Sequence, residues 1–162
     1  MTPQIDVKVR AAERGDLQSI DAIINQYWKV SVDHERELAN PETLMLVAEA
    51  PRDGERAAVV GTATMFLTRW NRTGLLVELA VARDWQRRGV GRALLLGMSR
   101  LAKDRDLRAI IVETQPDNKD AMDFYMANGL RMCGYNDRHY TNLPKSSHEI
   151  ALFFSLDLEN EV

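Results

Sequence analysis

The sequence predicts an α/β fold in which helices cover both faces of one mixed sheet. Strand-like alternation of apolar residues ends at Val81, and helical spacing of apolar residues begins at Val90. The short apolar run at residues 107–113 suits a strand that is covered on both faces. The patterns follow one another in the order β-α-β-β-β-α-β-α-β-β. Because strands are followed by helical crossovers, at least one pair of strands is expected to be parallel.

The part of the chain before the Val81 break is predicted to form four strands and one helix. The predicted elements are a strand at 7–11, a helix at 17–28, hairpin strands at 44–50 and 57–67, and a strand ending at 81. Asp16 is a candidate helix N-cap, and Asp53-Gly54 is a turn signal within the hairpin. Gly61 indicates a bulge in its strand. The charged residues 29–43 lose periodicity and are expected to form a solvated loop or a short helix face.

The remainder of the chain alternates between helices and strands. The predicted elements are a helix at 90–104, a strand at 107–113, a helix at 121–128 and strands at 130–135 and 149–157. Gly129 suits the position just after a helix C-terminus. We find no repeat, low-complexity tract or linker, so residues 1–162 are expected to form a single domain.

Composition narrows the function classes. The apolar content of 45% is ordinary for a globular protein, and the net charge of −3 gives no global basic field for nucleic acid. Cys133 is the single cysteine, so no internal disulfide can form, which fits a reducing compartment. The N-terminal residues lack the basic and apolar regions of a signal peptide, and no apolar run approaches a membrane span. We therefore expect a cytoplasmic protein that acts on small molecules rather than on nucleic acid or membranes.

The loop between the Val81 strand and the Val90 helix is a candidate anion site. A helix N-terminus exposes backbone N–H groups and carries partial positive charge. Glycine lets a ligand approach the backbone closely, and arginines add full charges that suit phosphate. The alternative is an ordinary turn with solvated arginines. The residues of this candidate site are Gln86, Arg87, Arg88, Gly89, Val90, Gly91 and Arg92.

Two motifs in this order resemble those of the GCN5-related N-acetyltransferases (GNAT). The first is Gln86-x-x-Gly89-x-Gly91, and the second is Asn118-x-x-Ala121-x-x-Phe124-Tyr125-x-x-x-Gly129-Leu130. Leu130 stands where that family usually has phenylalanine. A finer likeness to streptothricin-type antibiotic acetyltransferases lies in Trp70-Asn71-Arg72, Val112-Glu113-Thr114-Gln115, Asp117-Asn118, and Gly134-Tyr135 through Tyr140-Thr141-Asn142.

The resemblance implies where acetyl-CoA would bind. In that fold the strand ending at Val81 and the strand ending near Glu113 splay apart, and acetyl-CoA lies in the notch between them. The resemblance also implies that the coenzyme meets the loop residues named above, the side chains of Asn118 and Tyr125, and the strand backbone at Leu79, Ala80 and Val81.

Three side chains are candidates for the chemistry of acetyl transfer. An amine with a pKa of ~10.4 is almost entirely protonated at neutral pH, so a carboxylate that accepts its proton is useful. Glu78 and Glu113 are the candidates for this base, although either could instead pair with an arginine or hold a cationic acceptor. The resemblance implies that Tyr125 protonates the leaving thiolate. Because neighbouring residues cannot share a helix face, we expect Phe124 in the core and Tyr125 toward the cleft.

The histidines, the single cysteine and two aromatic residues of the first helix are expected to have structural rather than chemical roles. His34, His139 and His148 lack metal-ligand spacing, so no metal site is predicted. Cys133 is expected to be a buried thiol rather than a nucleophile. For Tyr27 and Trp28, core packing is favoured over a place in the acceptor wall.

The acceptor is the least determined part of the prediction. The two glutamates and the net acidic chain favour a small amine such as an antibiotic or polyamine. Alternatives are a protein or peptide N-acetyltransferase and a non-catalytic sensor of acyl-CoA. A homodimer through the terminal strands, with Phe153 exposed on them, is also considered.

Overall fold

The computed structural model describes residues 6–28, 32–52, 56–143, 145–146 and 149–159. It contains β1 (Lys8–Ala11), α1 (Leu17–Ile24), α2 (His34–Leu38), β2 (Thr43–Ala50), β3 (Ala58–Thr68), β4 (Thr73–Val81), α3 (Val90–Asp104), β5 (Ala109–Thr114), α4 (Lys119–Ala127), β6 (Arg131–Asn136) and β7 (Ala151–Asp157). The predicted order is confirmed, with the short helix α2 added between α1 and β2. The Asp53-Gly54 turn and His148 lie outside the described residues.

The seven strands form one mixed sheet in the order β1-β2-β3-β4-β5-β7-β6. Strands β4 and β5 are parallel, with four residue pairs from Thr73 with Ala109 to Leu76 with Val112. The pairs β1-β2, β2-β3, β5-β7 and β6-β7 are antiparallel. The parallel pair is the one that the helical crossover predicts, since α3 connects its two strands.

The chain divides into two compact units, each built from separate stretches of sequence. The first unit comprises Met1–Leu67 and Val77–Leu101, and the second comprises Thr68–Leu76 and Ala102–Val162. Strand β4 therefore contributes its beginning to the second unit and its end to the first. The expectation of a single domain over residues 1–162 stays a prediction.

Helices cover both faces of the strands in the first unit. On one face Ile20, Ile23 and Ile24 of α1 pack in a core cluster with Met45, Val47 and Ala80. On the other face α3 lies so close that a Cβ atom on Gly97 would be 3.3 Å from Leu46 Cδ1. Leu46 and Val47 are consecutive on β2, and consecutive strand residues point to opposite faces. The predicted coverage of both faces is thus confirmed here.

Gly61 allows α3 to approach the sheet. The β2-β3 register shifts beside it, where Ala48 pairs with Gly61 and Glu49 with Val59, so the predicted bulge is confirmed. A Cβ atom on Gly61 would lie 2.9 Å from Val90 Cγ1 and 3.2 Å from the carbonyl oxygen of Ala80. The second contact is with backbone, which cannot move aside as a side chain can.

We expect Gly61→Ala to lower the free energy of unfolding by about 1–3 kcal/mol, because the added methyl group overpacks the contact with α3. Urea unfolding followed by circular dichroism measures this change. Gly15→Ala is the matched control, since a Cβ atom there would have no neighbour within 4 Å. Equal stability of the two variants would contradict the packing role of Gly61.

The second unit is built on β5 and β7. Ile110 and Val112 of β5 are fully buried, and Val112 pairs with the buried Phe154 of β7. The next pair along the ladder is Glu113 with Phe153. Since side chains alternate along a strand, Glu113 and Phe153 lie side by side on the face opposite Val112.

Candidate active site

The loop before α3 leads into a helix N-terminus whose first backbone N–H groups have no partner within the helix. The Ala93 N–H donates to the carbonyl of Gly89 at 3.0 Å, which is the first bond of the helix. The N–H groups of Val90, Gly91 and Arg92 precede that bond and have no carbonyl within the helix to meet. Arg87 and Gly89 adopt left-handed conformations, with φ of 60° and 85°. A non-glycine residue in this conformation is a mark of a constrained and often functional loop.

The arginines of the loop differ in what they can offer. The Arg88 guanidinium lies over the Trp85 ring, 5.1 Å from its centroid, and is half-buried. Arg87 and Arg92 are exposed. Arg87 and Arg92 therefore offer exposed positive charge, whereas the Arg88 guanidinium already has an aromatic contact.

Tyr27 links the loop to the end of β4. The Tyr27 hydroxyl donates to the carbonyl of Val81 and accepts a bond of 2.6 Å from Gln86 Nε2. The side chain of Gln86 thus anchors the loop, and a coenzyme amide that pairs with Val81 must share its carbonyl or use its N–H. Tyr27 and Trp28 are both exposed, so the prediction that they pack in the core is wrong. Helix α1 ends at Ile24, before its apolar face reaches them.

We expect Tyr27→Phe to raise the KM for acetyl-CoA by about 3- to 10-fold with little change in kcat, since it removes hydrogen bonds of about 1 kcal/mol each that hold the loop. Initial rates at varied acetyl-CoA measure this effect. Gln86→Ala should reproduce it, because it removes one of the same two bonds. A fall in kcat at unchanged KM would instead place Tyr27 in the chemical step.

His34 is the main site residue that the sequence did not identify. It is 4% exposed, and its two ring nitrogens face two carboxylates. Nδ1 lies 2.6 Å from Asp21 Oδ1, and Nε2 lies 3.0 Å from Glu78 Oε1. Burial disfavours the imidazolium, but the hydrogen bonds to Asp21 and Glu78 prevail and raise the pKa of His34. The prediction of a solvated segment is therefore wrong for this residue.

Glu37 adds a third carboxylate to this cluster. Its Oε2 atom is buried and has no hydrogen-bond partner among the described residues. Burial, with a smaller effect from the Glu78 charge, raises the pKa of Glu37. One ring nitrogen of His34 and one carboxylate oxygen each of Glu37 and Glu78, all of them possible metal ligands, lie within 4.8 Å of one another. Spacing along the sequence does not reveal such a group, and the absence of a metal stays a prediction.

Glu113 lies in the second unit beneath an aromatic loop. The Tyr140 hydroxyl, from the loop between β6 and β7, donates to Glu113 Oε1. The His139 ring packs edge-on against both Tyr140 and Phe153, at centroid distances of 4.8 and 5.6 Å. Burial and the bond to Glu113 raise the pKa of Tyr140. Glu113 is thus held by a tyrosine rather than by an arginine.

Tyr125 lies on α4 with its ring 5.9 Å from the buried ring of Phe154. Phe124 and Tyr125 are both half-buried, so the structure does not place Phe124 deeper in the core than Tyr125 as expected. Burial, with a smaller effect from the Glu113 charge, raises the pKa of Tyr125 to about 12. The hydroxyl therefore keeps its proton at neutral pH and can donate it. Asn118 caps the same helix, because its Oδ1 accepts the Ala121 N–H at 3.2 Å.

Cys133 does not have the surroundings that its strand position suggests. It lies on β6, whose residues are exposed apart from Gly134, and it is itself exposed. The prediction of a buried thiol is wrong, because β6 is the last strand of the sheet. Partial burial still raises the pKa of the Cys133 thiol, so it does not have the lowered pKa of an activated nucleophile.

Comparison with known proteins bears on the activity. The sequence model of the acetyltransferase (GNAT) family matches residues 14–130. Streptothricin acetyltransferase A from Bacillus subtilis (strain 168) is 33% identical over 87 residues, which are 54% of this chain and 50% of that protein. The chain thus spans about half the length of the curated relative that it matches.

Solved structures share the fold at lower identity. A putative streptothricin acetyltransferase from Bacillus anthracis str. Ames, in complex with acetyl coenzyme A, is 19% identical with a TM-score of 0.78, over 94% of this chain and 99% of that one. The ribosomal-protein-S18-alanine N-acetyltransferase from Escherichia coli is 18% identical with a TM-score of 0.75, over 97% of both chains. No helix in the described ranges is long and apolar enough to cross a membrane.

Proposed function

The chain belongs to the acetyltransferase (GNAT) family, and we propose that it acetylates the primary amine of a small cationic acceptor. It is an N-acetyltransferase whose co-substrate is acetyl-CoA. The transfer is proposed to occur by direct attack of the amine in a ternary complex. The observation that carries this proposal is the N-terminus of α3, where Arg87 and Gly89 are left-handed and the first backbone N–H groups of the helix have no helical carbonyl to meet.

The coenzyme requires an anion site, and the loop before α3 is proposed to supply it. Phosphate groups suit the N–H groups of Val90, Gly91 and Arg92 and the helix dipole behind them. The exposed guanidinium groups of Arg87 and Arg92 add charge to the same loop. The peptide groups of Leu79, Ala80 and Val81, at the end of β4, are proposed to pair with the pantetheine arm.

The chemistry requires a base, an acid and one acyl transfer. The amine nitrogen forms a bond to the thioester carbonyl carbon, the C–S bond breaks, and the sulfur leaves as thiolate. Tyr125 is proposed to protonate that thiolate, and its oxygen takes back the second proton that the nitrogen loses when the amide forms. Glu78 is proposed to receive the proton that the acceptor ammonium gives up. Glu113 is the alternative base, although its Oε1 is already bonded to Tyr140.

A small cationic acceptor is supported by charge and by the curated relative. Glu78 is 10% exposed at its side chain and has Glu37 beside it, so the cluster carries acidic groups that suit an ammonium ion. The B. subtilis relative is named as an acetyltransferase of streptothricin. We therefore rank streptothricin-like antibiotics and polyamines first among the acceptors.

A peptide acceptor is the second candidate. Tyr140 and Glu113 form a polar and aromatic patch of the kind that can hold an extended chain. A sensor that binds acyl-CoA without turnover is a further alternative, which the presence of Tyr125 beside the coenzyme loop motif disfavours, since a sensor needs no acid for the thiolate. We also propose a cytoplasmic location and consider a homodimer through the exposed edge strand β6, which light scattering would test.

The test is acetyl-CoA-dependent thiol release against streptothricin, polyamines, aminoglycosides, amino acids and short peptides. Turnover of one small amine would support the proposal. Turnover of peptides alone would establish the second candidate. Binding of acetyl-CoA without turnover of any amine would favour the sensor, and failure to bind acetyl-CoA would contradict the role of the α3 loop.

A further inference from the structure

We propose that His34 is a positioning residue for the transfer reaction. With Asp21 behind it, the His34 ring holds the Glu78 carboxylate in one orientation and keeps it ionised. The acceptor ammonium then meets a carboxylate rather than a carboxylic acid. This inference rests on the proposed function of Glu78.

With this geometry, Asp21 and Glu78 can both be ionised and hydrogen-bonded to the ring only if the ring is doubly protonated. Carboxylate oxygens accept hydrogen bonds, and each ring nitrogen of His34 faces one at 2.6 to 3.0 Å. A neutral ring would turn a lone pair toward either Asp21 or Glu78, which is repulsive. The imidazolium form instead donates to both. Nε2 also lies 3.2 Å from Glu78 Oε2, so both oxygens of that carboxylate are within its reach.

The positive charge of the His34 imidazolium is needed because a second carboxylate, that of Glu37, lies close to Glu78. One carboxylate oxygen of Glu37 and one of Glu78 lie within 4.8 Å of each other. Glu37 Oε2 is buried and has no hydrogen-bond partner among the described residues. Two carboxylates that share a site hold a proton between them to higher pH than either does alone. The charged groups that face His34 are Asp21 on α1, Glu37 on α2 and Glu78 on β4, and Asp33 adds negative charge near Glu37. His34 supplies the cation in this group.

The consequence is a specific pH dependence. Without the imidazolium, the Glu37 and Glu78 pair takes up a proton as the pH falls, and the acceptor loses its base. The wild type keeps the imidazolium up to the raised pKa of His34 and loses it above that pH. The ratio of wild-type to variant rate should therefore be largest at low pH and should decline as the pH rises.

The experiment measures kcat/KM for the acceptor between about pH 6 and 8.5 in His34→Gln, Glu37→Gln, Glu78→Gln and the double variants. Taking the ratio to wild type at each pH cancels the titration of the amine itself. We expect His34→Gln to lose up to about tenfold at pH 6, the most that a shift of about one pKa unit in the carboxylate pair can cause, and less at pH 8.5. The KM for acetyl-CoA should change by less than about twofold, because the α3 loop is not altered.

Two double variants separate positioning from mere support of the fold. Glu37→Gln removes the competing carboxylate, so it should restore much of the low-pH rate in the His34→Gln background. His34→Gln should cost nothing further in the Glu78→Gln background, because His34 acts through Glu78. Glu35→Gln is the matched control, since Glu35 is an exposed residue of α2 that pairs with Arg14 at the surface.

The outcomes distinguish this inference from the proposed function. A pH-independent loss in His34→Gln, or a further loss in the Glu78→Gln background, would overturn it. Ring NMR of His34 gives a readout without turnover, and a neutral ring at pH 7 would also overturn it. If Glu78→Gln keeps wild-type rates while His34 proves to be an imidazolium, the proposed base is wrong and His34 is only structural. If the His34 ring proves neutral and activity is lost when a divalent cation is removed, a metal ion rather than the imidazolium holds the Glu78 carboxylate, and the inference is overturned.

Discussion

Replacing Tyr125 by phenylalanine is expected to lower kcat by about 10²-fold or more, the usual contribution of a positioned general acid. The hydroxyl is held protonated, because burial raises its pKa to about 12. Phenylalanine keeps the ring contact with Phe154, which lies 5.9 Å away, so the fold and the KM for acetyl-CoA should be retained. Steady-state rates with a small amine measure the effect.

The control for this substitution is Tyr135→Phe. Tyr135 lies on β6 and is 70% exposed, so the same chemical change should leave the rate unaltered. Burst kinetics add a second readout, since loss of the acid in Tyr125→Phe should slow the chemical step itself, whereas Tyr135→Phe should not. A Tyr125→Phe enzyme with wild-type kcat would show that thiolate departure needs no proton from this side chain.

Replacing Glu78 by glutamine is expected to lower kcat/KM for the acceptor by about 10²-fold at neutral pH. Glutamine has the same shape and can still accept a hydrogen bond from His34, but it cannot take the proton of the acceptor ammonium. The KM for acetyl-CoA should stay close to the wild-type value. The loss should shrink as the pH rises, because more of the acceptor is then already neutral.

Glu113→Gln is the comparison that assigns the base. Glu113 already accepts a hydrogen bond from Tyr140, and glutamine can accept the same bond. We expect its loss of kcat/KM to be at least about tenfold smaller than that of Glu78→Gln if Glu78 is the base. The reverse order would assign proton removal to Glu113 and leave Glu78 to bind the acceptor.

The sequence determined the order of the elements and the ends of the long ones. The change from a period of two to a period of 3.6 places the end of β4 at Val81 and the start of α3 at Val90, as the structure has them. Such patterns are local, because they follow from which side of each element is buried. The glycines and arginines before Val90 likewise made the α3 loop a candidate anion site, whereas Tyr125 on α4 was named from its resemblance to the family motif.

Only the tertiary structure decided which side chains meet. Asp21, His34 and Glu78 come from α1, α2 and β4, and nothing in the sequence near His34 announces its partners. Tyr27 likewise reaches Val81 across 54 positions, and Tyr140 reaches Glu113 across 27. These bonds depend on the register of strands and the approach of helices, which are set by packing over the whole unit. Periodicity therefore predicted the elements that carry the candidate site residues, whereas the charges and hydrogen bonds around those residues were decided by long-range contacts.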